Sequence, residues 1–177
     1  MKIVVVVDVQ NDFIDGALGT KVAQAAIPKI ADSLIAANKN DEILIFTQDT
    51  HLNDYLFTLE GRKLPVPHCI EGTRGWLVNE DVDDCFAGHI CKSTFGSFQL
   101  IEMIESLSKH NIITEIELFG FCTDICVISN AILLKNYFPF IEITVNADLC
   151  AGSTPYMHEA ALKVMNSCQI NIRTEEA

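Results

Sequence analysis

Short apolar runs alternate with amphipathic segments along the chain. Ile3-Val4-Val5-Val6-Val7, Glu42 to Phe46, His89-Ile90-Cys91, Glu115 to Phe119, Ile141 to Val145 and Gln169 to Ile172 predict strands. Several of them are apolar on both faces, as a parallel sheet covered on both sides requires. Between them the apolar spacing turns helical. Ile27, Ile30, Ala31, Leu34 and Ile35 fall on one face, as do Leu100, Ile101, Ile104 and Leu107, while Ile128 to Leu134 carries a further helix. A last stripe, Tyr156, Ala160, Val164 and Met165, follows the start signal Ser153-Thr154-Pro155. The alternation predicts an open α/β sheet with right-handed crossovers. The stretch from Thr47 to Gly88 has no strong periodicity, and irregular segments of that length inside compact domains are usually functional.

Composition narrows the class. The 177 residues read as one domain, 1–177, without linker, repeat or low-complexity segment, and 49% hydrophobic with 20% charged residues suits a compact enzyme. A formal net charge of −12 argues against nucleic acid and anionic membrane surfaces as partners. The seven cysteines follow no repeating spacing and fall partly inside predicted elements, so reduced thiols without bridges are expected. The apolar start runs straight into Asp8, and no segment approaches a membrane span. A soluble, cytoplasmic protein is the expectation.

In open α/β sheets the ligand crevice lies beyond the carboxyl ends of the strands. The residues delivered there are Asp8, then Asp49 and His51, then Lys92, then Cys126. Thr123 is placed as an N-cap, which puts Cys126 in the first helical turn, where the helix dipole favours thiolate. In that arrangement Asp8 takes the thiol proton, Lys92 favours the developing negative charge and Cys126 attacks a carbonyl carbon. Taken singly, each residue has a plain structural role open to it. Cys126 serves equally as a small buried apolar residue, Asp8 as a turn cap and Lys92 as a solvated loop lysine. A second set, Asp49-Thr50-His51 with His68, offers one carboxylate and two imidazoles, suited to a divalent ion with positions left open. Glu60 is a candidate further ligand, and loop histidines are otherwise polar surface.

These residues carry a resemblance. Val7-Asp8-Val9-Gln10-Asn11-Asp12-Phe13, Thr47-Gln48-Asp49-Thr50-His51, Pro67-His68-Cys69-Ile70-Glu71-Gly72-Thr73, Lys92 and Gly120-Phe121-Cys122-Thr123-Asp124-Ile125-Cys126-Val127 occur in collinear order over nearly the whole chain. Together they resemble the isochorismatase-like cysteine hydrolases, in particular their nicotinamidase branch, and Asp148 to Ser153 is similar to the family's segment before its last helix. The resemblance implies a three-layer α/β/α fold with a mostly parallel six-stranded sheet. It also implies a triad of Asp8, Lys92 and Cys126 and metal ligands Asp49, His51 and His68. A cis peptide at Phe121–Cys122 is implied too, with the backbone N–H groups of Cys122 and Cys126 forming an oxyanion hole.

The function so implied is an amidohydrolase that cleaves a small carboxamide through a Cys126 thioester, nicotinamide to nicotinate and ammonia being the leading case. Its divalent metal would be zinc by ligand type, with iron or manganese as alternatives, and relatives are commonly homo-oligomers. Phe13, Leu64 and Phe121 are the expected substrate-contacting side chains. The family's nicotinamidases place a tryptophan three residues before the second metal histidine, where this chain has Pro65, and they carry a longer insertion after the lysine than Ser93 to Phe98. Phe95, Phe98 and Trp76 are candidates for the missing ring face. Alternatives are an amidase for a ureido or carbamoyl compound, a metal hydrolase in which Cys126 is structural, and a catalytically silent binding subunit. Vinyl-ether hydrolysis of the isochorismatase type does not use the cysteine.

Overall fold

The computed structural model describes residues 1–83 and 87–174. Cys85 falls outside this range, and the other six cysteines are free. Six strands form one sheet: β1 (Lys2–Val7), β2 (Ile43–Asp49), β3 (Gly88–Lys92), β4 (Glu115–Phe121), β5 (Glu142–Ala151) and β6 (Asn171–Arg173). Their order is β3-β2-β1-β4-β5-β6, and every neighbouring pair is parallel. Ile3 to Val7 of β1 are fully buried, which explains a strand without polar alternation.

The chain winds outward from β1 through β2 to β3, then returns to the other side of β1 to start β4. The switch point therefore lies between β1 and β4. Asp8 leaves one of these strands and Cys122 to Cys126 leave the other, so topology alone brings acid and thiol to one crevice.

The helices are α1 (Asn11–Ile14), α2 (Lys21–Lys39), α3 (Leu59–Lys63), α4 (Phe98–Ser108), α5 (Ile128–Tyr137) and α6 (Pro155–Ser167). Four of their N-termini are capped by a hydroxyl accepting from the third residue on: Thr20 from Ala23, Thr58 from Gly61, Ser97 from Leu100 and Thr154 from Met157. Helix α2 lies across β2 and β5, while α4, α5 and α6 pack in succession, α5 against β5 and α6 against β5 and β6. The 47–88 stretch contains α3 and a 3₁₀ turn at Tyr55–Phe57.

Three details depart from the sequence reading. Strand β5 continues to Ala151, well past Val145, so Asp148 to Ala151 are strand. Helix α6 buries Ala161, Leu162 and Met165 and turns Tyr156 outward at 79% exposure. Thr123 is not a cap: Thr123–Val127 form a π-helical turn that starts after Cys122 and runs into α5, and the Thr123 hydroxyl pairs with His158 Nδ1 at 2.8 Å.

Gly120 lies opposite Val7 in the β1–β4 pairing, next to both site-bearing connections. Its φ is +126°, and a Cβ there would stand 2.1 Å from the Val7 carbonyl oxygen. Gly120→Ala should therefore cost about 3 kcal/mol or more, a fall of roughly 6–12 °C in the thermal midpoint for a chain of this size. Thermal unfolding followed by circular dichroism tests this, and an unchanged midpoint would mean that the strand ends can separate freely.

Candidate active site

Asp8 follows β1 with φ of +50°, a conformation that Asp tolerates better than most residues. Its amide donates to the Thr47 carbonyl at 3.1 Å, and its Oδ1 accepts from the Thr47 hydroxyl at 2.7 Å. The carboxylate is thus clamped to the end of β2. Lys92, the last residue of β3, reaches under the sheet end with its stem buried. Its Nζ lies 2.6 Å from Asp8 Oδ2, 3.3 Å from Cys126 Sγ and 3.5 Å from Asp49 Oδ1. Cys126 is buried in the π-helical turn, whose wide backbone ring brings the Val127 amide onto the Cys122 carbonyl. The Phe121–Cys122 peptide is cis.

The electrostatic surroundings of Cys126 act in opposite directions. Burial pushes the Cys126 thiol well above its ordinary value, and the Asp8 charge adds to this against the opposing pull of Lys92. Burial also raises Asp8, with Lys92 opposing. For Lys92 burial acts downward, but Asp8, Cys126 and Asp49 outweigh it and hold the ammonium charged. Burial and the Asp8 charge thus favour the protonated thiol next to the Asp8–Lys92 pair, an arrangement suited to proton transfer that accompanies attack. Cys122, which lines the same cavity, is pushed up to about 12, by burial first and then by Asp124.

Asp49, His51 and His68 are buried, with ligand atoms within 4.8 Å of one another. His51 Nε2 lies 3.0 Å and His68 Nε2 3.5 Å from Asp49 Oδ2, and Glu60 Oε1 stands 3.7 and 3.9 Å from the two ring nitrogens. The Val66 carbonyl accepts from His68 Nδ1 at 2.8 Å, which leaves Nε2 with its lone pair toward the cluster. His51 Nε2 is buried without a hydrogen-bond partner. An orphaned imidazole nitrogen facing a carboxylate and a second imidazole fits a divalent cation. Burial acts to raise the Asp49 carboxyl, but the imidazoles of His51 and His68 beside it and the Lys92 charge hold it well below the usual carboxylate range.

Several supports carry no chemical signature in the sequence. Gln10 is fully buried; its Nε2 donates to the carbonyls of Asp49 and Trp76 at 2.8 and 2.7 Å, and its Oε1 accepts from the Asp49 amide at 2.7 Å. Asp12 Oδ2 accepts from the Cys69 amide at 2.7 Å, anchoring the residue after His68. Tyr55 packs against both histidine rings, with centroids 4.7 Å from His51 and 5.0 Å from His68, and donates its hydroxyl to the Leu64 carbonyl.

A cavity of about 670 Å³ opens over Cys126 and Asp49. Phe13, Leu64, Phe121 and Glu60 line it, as does Phe95, but Phe98 and Trp76 do not. Phe98 is 70% exposed on the outside of α4, and Trp76 is tied to the Thr50 hydroxyl through its indole N–H at 2.9 Å. Among the described residues, no helix is long and apolar enough to cross a membrane.

The chain is similar to known proteins over nearly its whole length. The family model described as an isochorismatase domain matches residues 2–177. The chain is 23% identical to the nicotinamidase/pyrazinamidase of Mycobacterium tuberculosis over 186 residues, covering 97% of this chain and 98% of that one. A crystal structure of a nicotinamidase from Bacillus subtilis superposes with a TM-score of 0.81 at 28% identity, covering 97% and 98% of the two chains. A pyrazinamidase of Pyrococcus horikoshii, solved in complex with zinc, gives a TM-score of 0.80 at 23% identity and covers 98% and 99%.

Proposed function

The chain belongs to the isochorismatase family, and from that premise we propose that it is a cysteine-dependent amidohydrolase that converts a small carboxamide to a carboxylate and ammonia, with nicotinamide the leading substrate. The observation that carries this reading is the buried contact chain Asp8–Lys92–Cys126, at 2.6 and 3.3 Å, which ends with Cys126 on the cavity wall. The nicotinamidase/pyrazinamidase relatives favour amides over other carbonyl substrates.

In this mechanism Asp8 takes the thiol proton as Cys126 Sγ attacks the amide carbon. The N–H groups of Cys122 and Cys126 hold the oxyanion, and Lys92 offsets the charge that gathers on sulfur and oxygen. Asp8 returns the proton to nitrogen as the C–N bond breaks and ammonia leaves. It then deprotonates a water that attacks the thioester, and the acid is released as the thiol regains its proton.

Asp49, His51 and His68, with Glu60 at the edge, would hold a divalent ion, zinc by ligand type. Bound there, the ion would supply a Lewis-acid contact for a ring nitrogen, while Asp49, His51 and His68 fix where that contact lies relative to Cys126. About one ion per chain is expected from elemental analysis of freshly purified protein, and His51→Ala should lose it. Metal-free protein whose activity is indifferent to chelation and reconstitution would leave these side chains as a structural polar cluster.

Benzamide keeps the ring and the carboxamide but lacks the ring nitrogen. It is expected to turn over at least ~100-fold more slowly than nicotinamide, in line with the loss of an orienting contact. Equal rates of ammonia release would show that the nitrogen is not read. Rapid release from a ureido amide alone would move the substrate to that class.

A further inference from the structure

The catalytic groups account for only part of the cavity wall. If the reading as an amidase is right, and this inference rests on it, the carbonyl carbon is held at Cys126 Sγ and only an amino group lies on the leaving side. The remaining space belongs to the acyl group. That space is walled by Leu18 and Ala23, from the chain entering α2 and its first turn, by Leu59 and Leu64 from α3 and its end, by Phe95 after β3 and by Ile125. Leu59 and Phe95 stand at the rim with 77% and 46% of their surface exposed, an unusual cost for large apolar side chains unless something covers them.

Three hydroxyls on this wall make internal bonds. Thr20 Oγ1 accepts from the Ala23 amide at 3.0 Å, Thr94 Oγ1 donates to the Gly96 carbonyl at 2.7 Å, and Ser153 Oγ donates to Asp124 at 2.6 Å. Three of the polar groups that could have read a polar substituent are thus engaged internally; Ser93, Glu60 and Lys63 also line the cavity, but most of its surface is hydrocarbon. A cavity of 670 Å³ falls in the range that encloses drug-sized ligands, on the order of 300–1,000 Å³, and a single unsubstituted ring leaves much of such an apolar wall wet.

We propose that this wall is a subsite for an apolar substituent on the acyl group, so that the preferred substrates are carboxamides larger than nicotinamide, with an alkyl or aryl extension on the side away from the reacting carbonyl. The extension displaces water from Leu18 and Leu59 and covers Phe95. It leaves the Asp8–Lys92–Cys126 chemistry unchanged.

The test is ammonia release by the purified protein from nicotinamide and from nicotinamides bearing a butyl or phenyl group on the ring carbons away from the carboxamide. At about 0.8 kcal/mol per buried methylene, a butyl group should raise kcat/KM on the order of 100-fold. Leu59→Asp, a rim substitution that leaves the core untouched because the side chain is mostly exposed, should lower the ratio of butyl to unsubstituted kcat/KM about tenfold. Substituted amides turned over no faster than nicotinamide, or a ratio unmoved by Leu59→Asp, would overturn the subsite and leave the amidase reading standing. If no amide releases ammonia, calorimetric binding to Cys126→Ala decides separately. Tighter binding of the butyl compound than of nicotinamide supports the subsite without the reaction, and equal or absent binding overturns it.

Discussion

Cys126→Ala is expected to lower kcat by at least ~10⁴-fold, the scale seen when a nucleophile is removed and only the surrounding stabilisation remains. The thermal midpoint should move little, because a small buried side chain is replaced by one nearly its size. Cys122→Ala is the control. Cys122 lines the same cavity and lies beside the cis peptide, but the mechanism asks only for its backbone N–H, so its activity should stay within about tenfold of the parent. Comparable losses in the two variants would remove the asymmetry on which the nucleophile assignment rests. Trapping of an acyl adduct by mass spectrometry in the parent, and its absence in Cys126→Ala, gives a second readout independent of folding.

How far the sequence carried this site depends on which kind of signal each residue leaves. Asp8, Asp49, Lys92 and the Cys126 turn follow strand ends, and the strands were legible because β1, β2 and β4 are apolar on both faces; a parallel topology then does the gathering. Of the stripe read for α6, Met165 is buried but Tyr156 and Val164 face outward, because the helix carries a second apolar row, Ala161 with Leu162 and Met165. Periodicity cannot say which row meets the sheet. Gln10 and Asp12 escaped a role since an amide or carboxylate that bonds backbone looks the same in sequence as one on the surface. The surroundings of Cys126 were only partly legible, for a different reason. Its local position at a helix start favours thiolate, but burial and the Asp8 carboxylate, brought in from another strand, outweigh that preference. The long irregular segment marked a functional region, yet nothing in it foretold that Tyr55 would brace both histidines.

That charge balance gives Asp8→Asn two opposed effects, and both should be large. Without the carboxylate nothing accepts the thiol proton during attack, protonates the departing nitrogen or activates the hydrolytic water, so turnover should fall by about 10³-fold or more. The same substitution deletes a negative charge that raises the thiol and leaves the Lys92 ammonium 3.3 Å from sulfur with less competition for it. The sign follows from the thiol side: Asp8 pushes Cys126 up and Lys92 pulls it down, so removing Asp8 lowers the thiol's pKa and raises the thiolate fraction at any pH between the new value and the old one. Alkylation of Cys126 by iodoacetamide, followed by peptide mass spectrometry at neutral pH, should therefore become faster in the variant that hydrolyses amides more slowly. Lys92→Met should slow both, since it removes the one cation that favours thiolate. Circular dichroism must accompany each variant, because splitting a buried ion pair costs about 3–5 kcal/mol. If Asp8→Asn folds and both alkylation and turnover fall together, Asp8 would be holding the thiol in place and not moving its proton, and the general-base role would have to be given up.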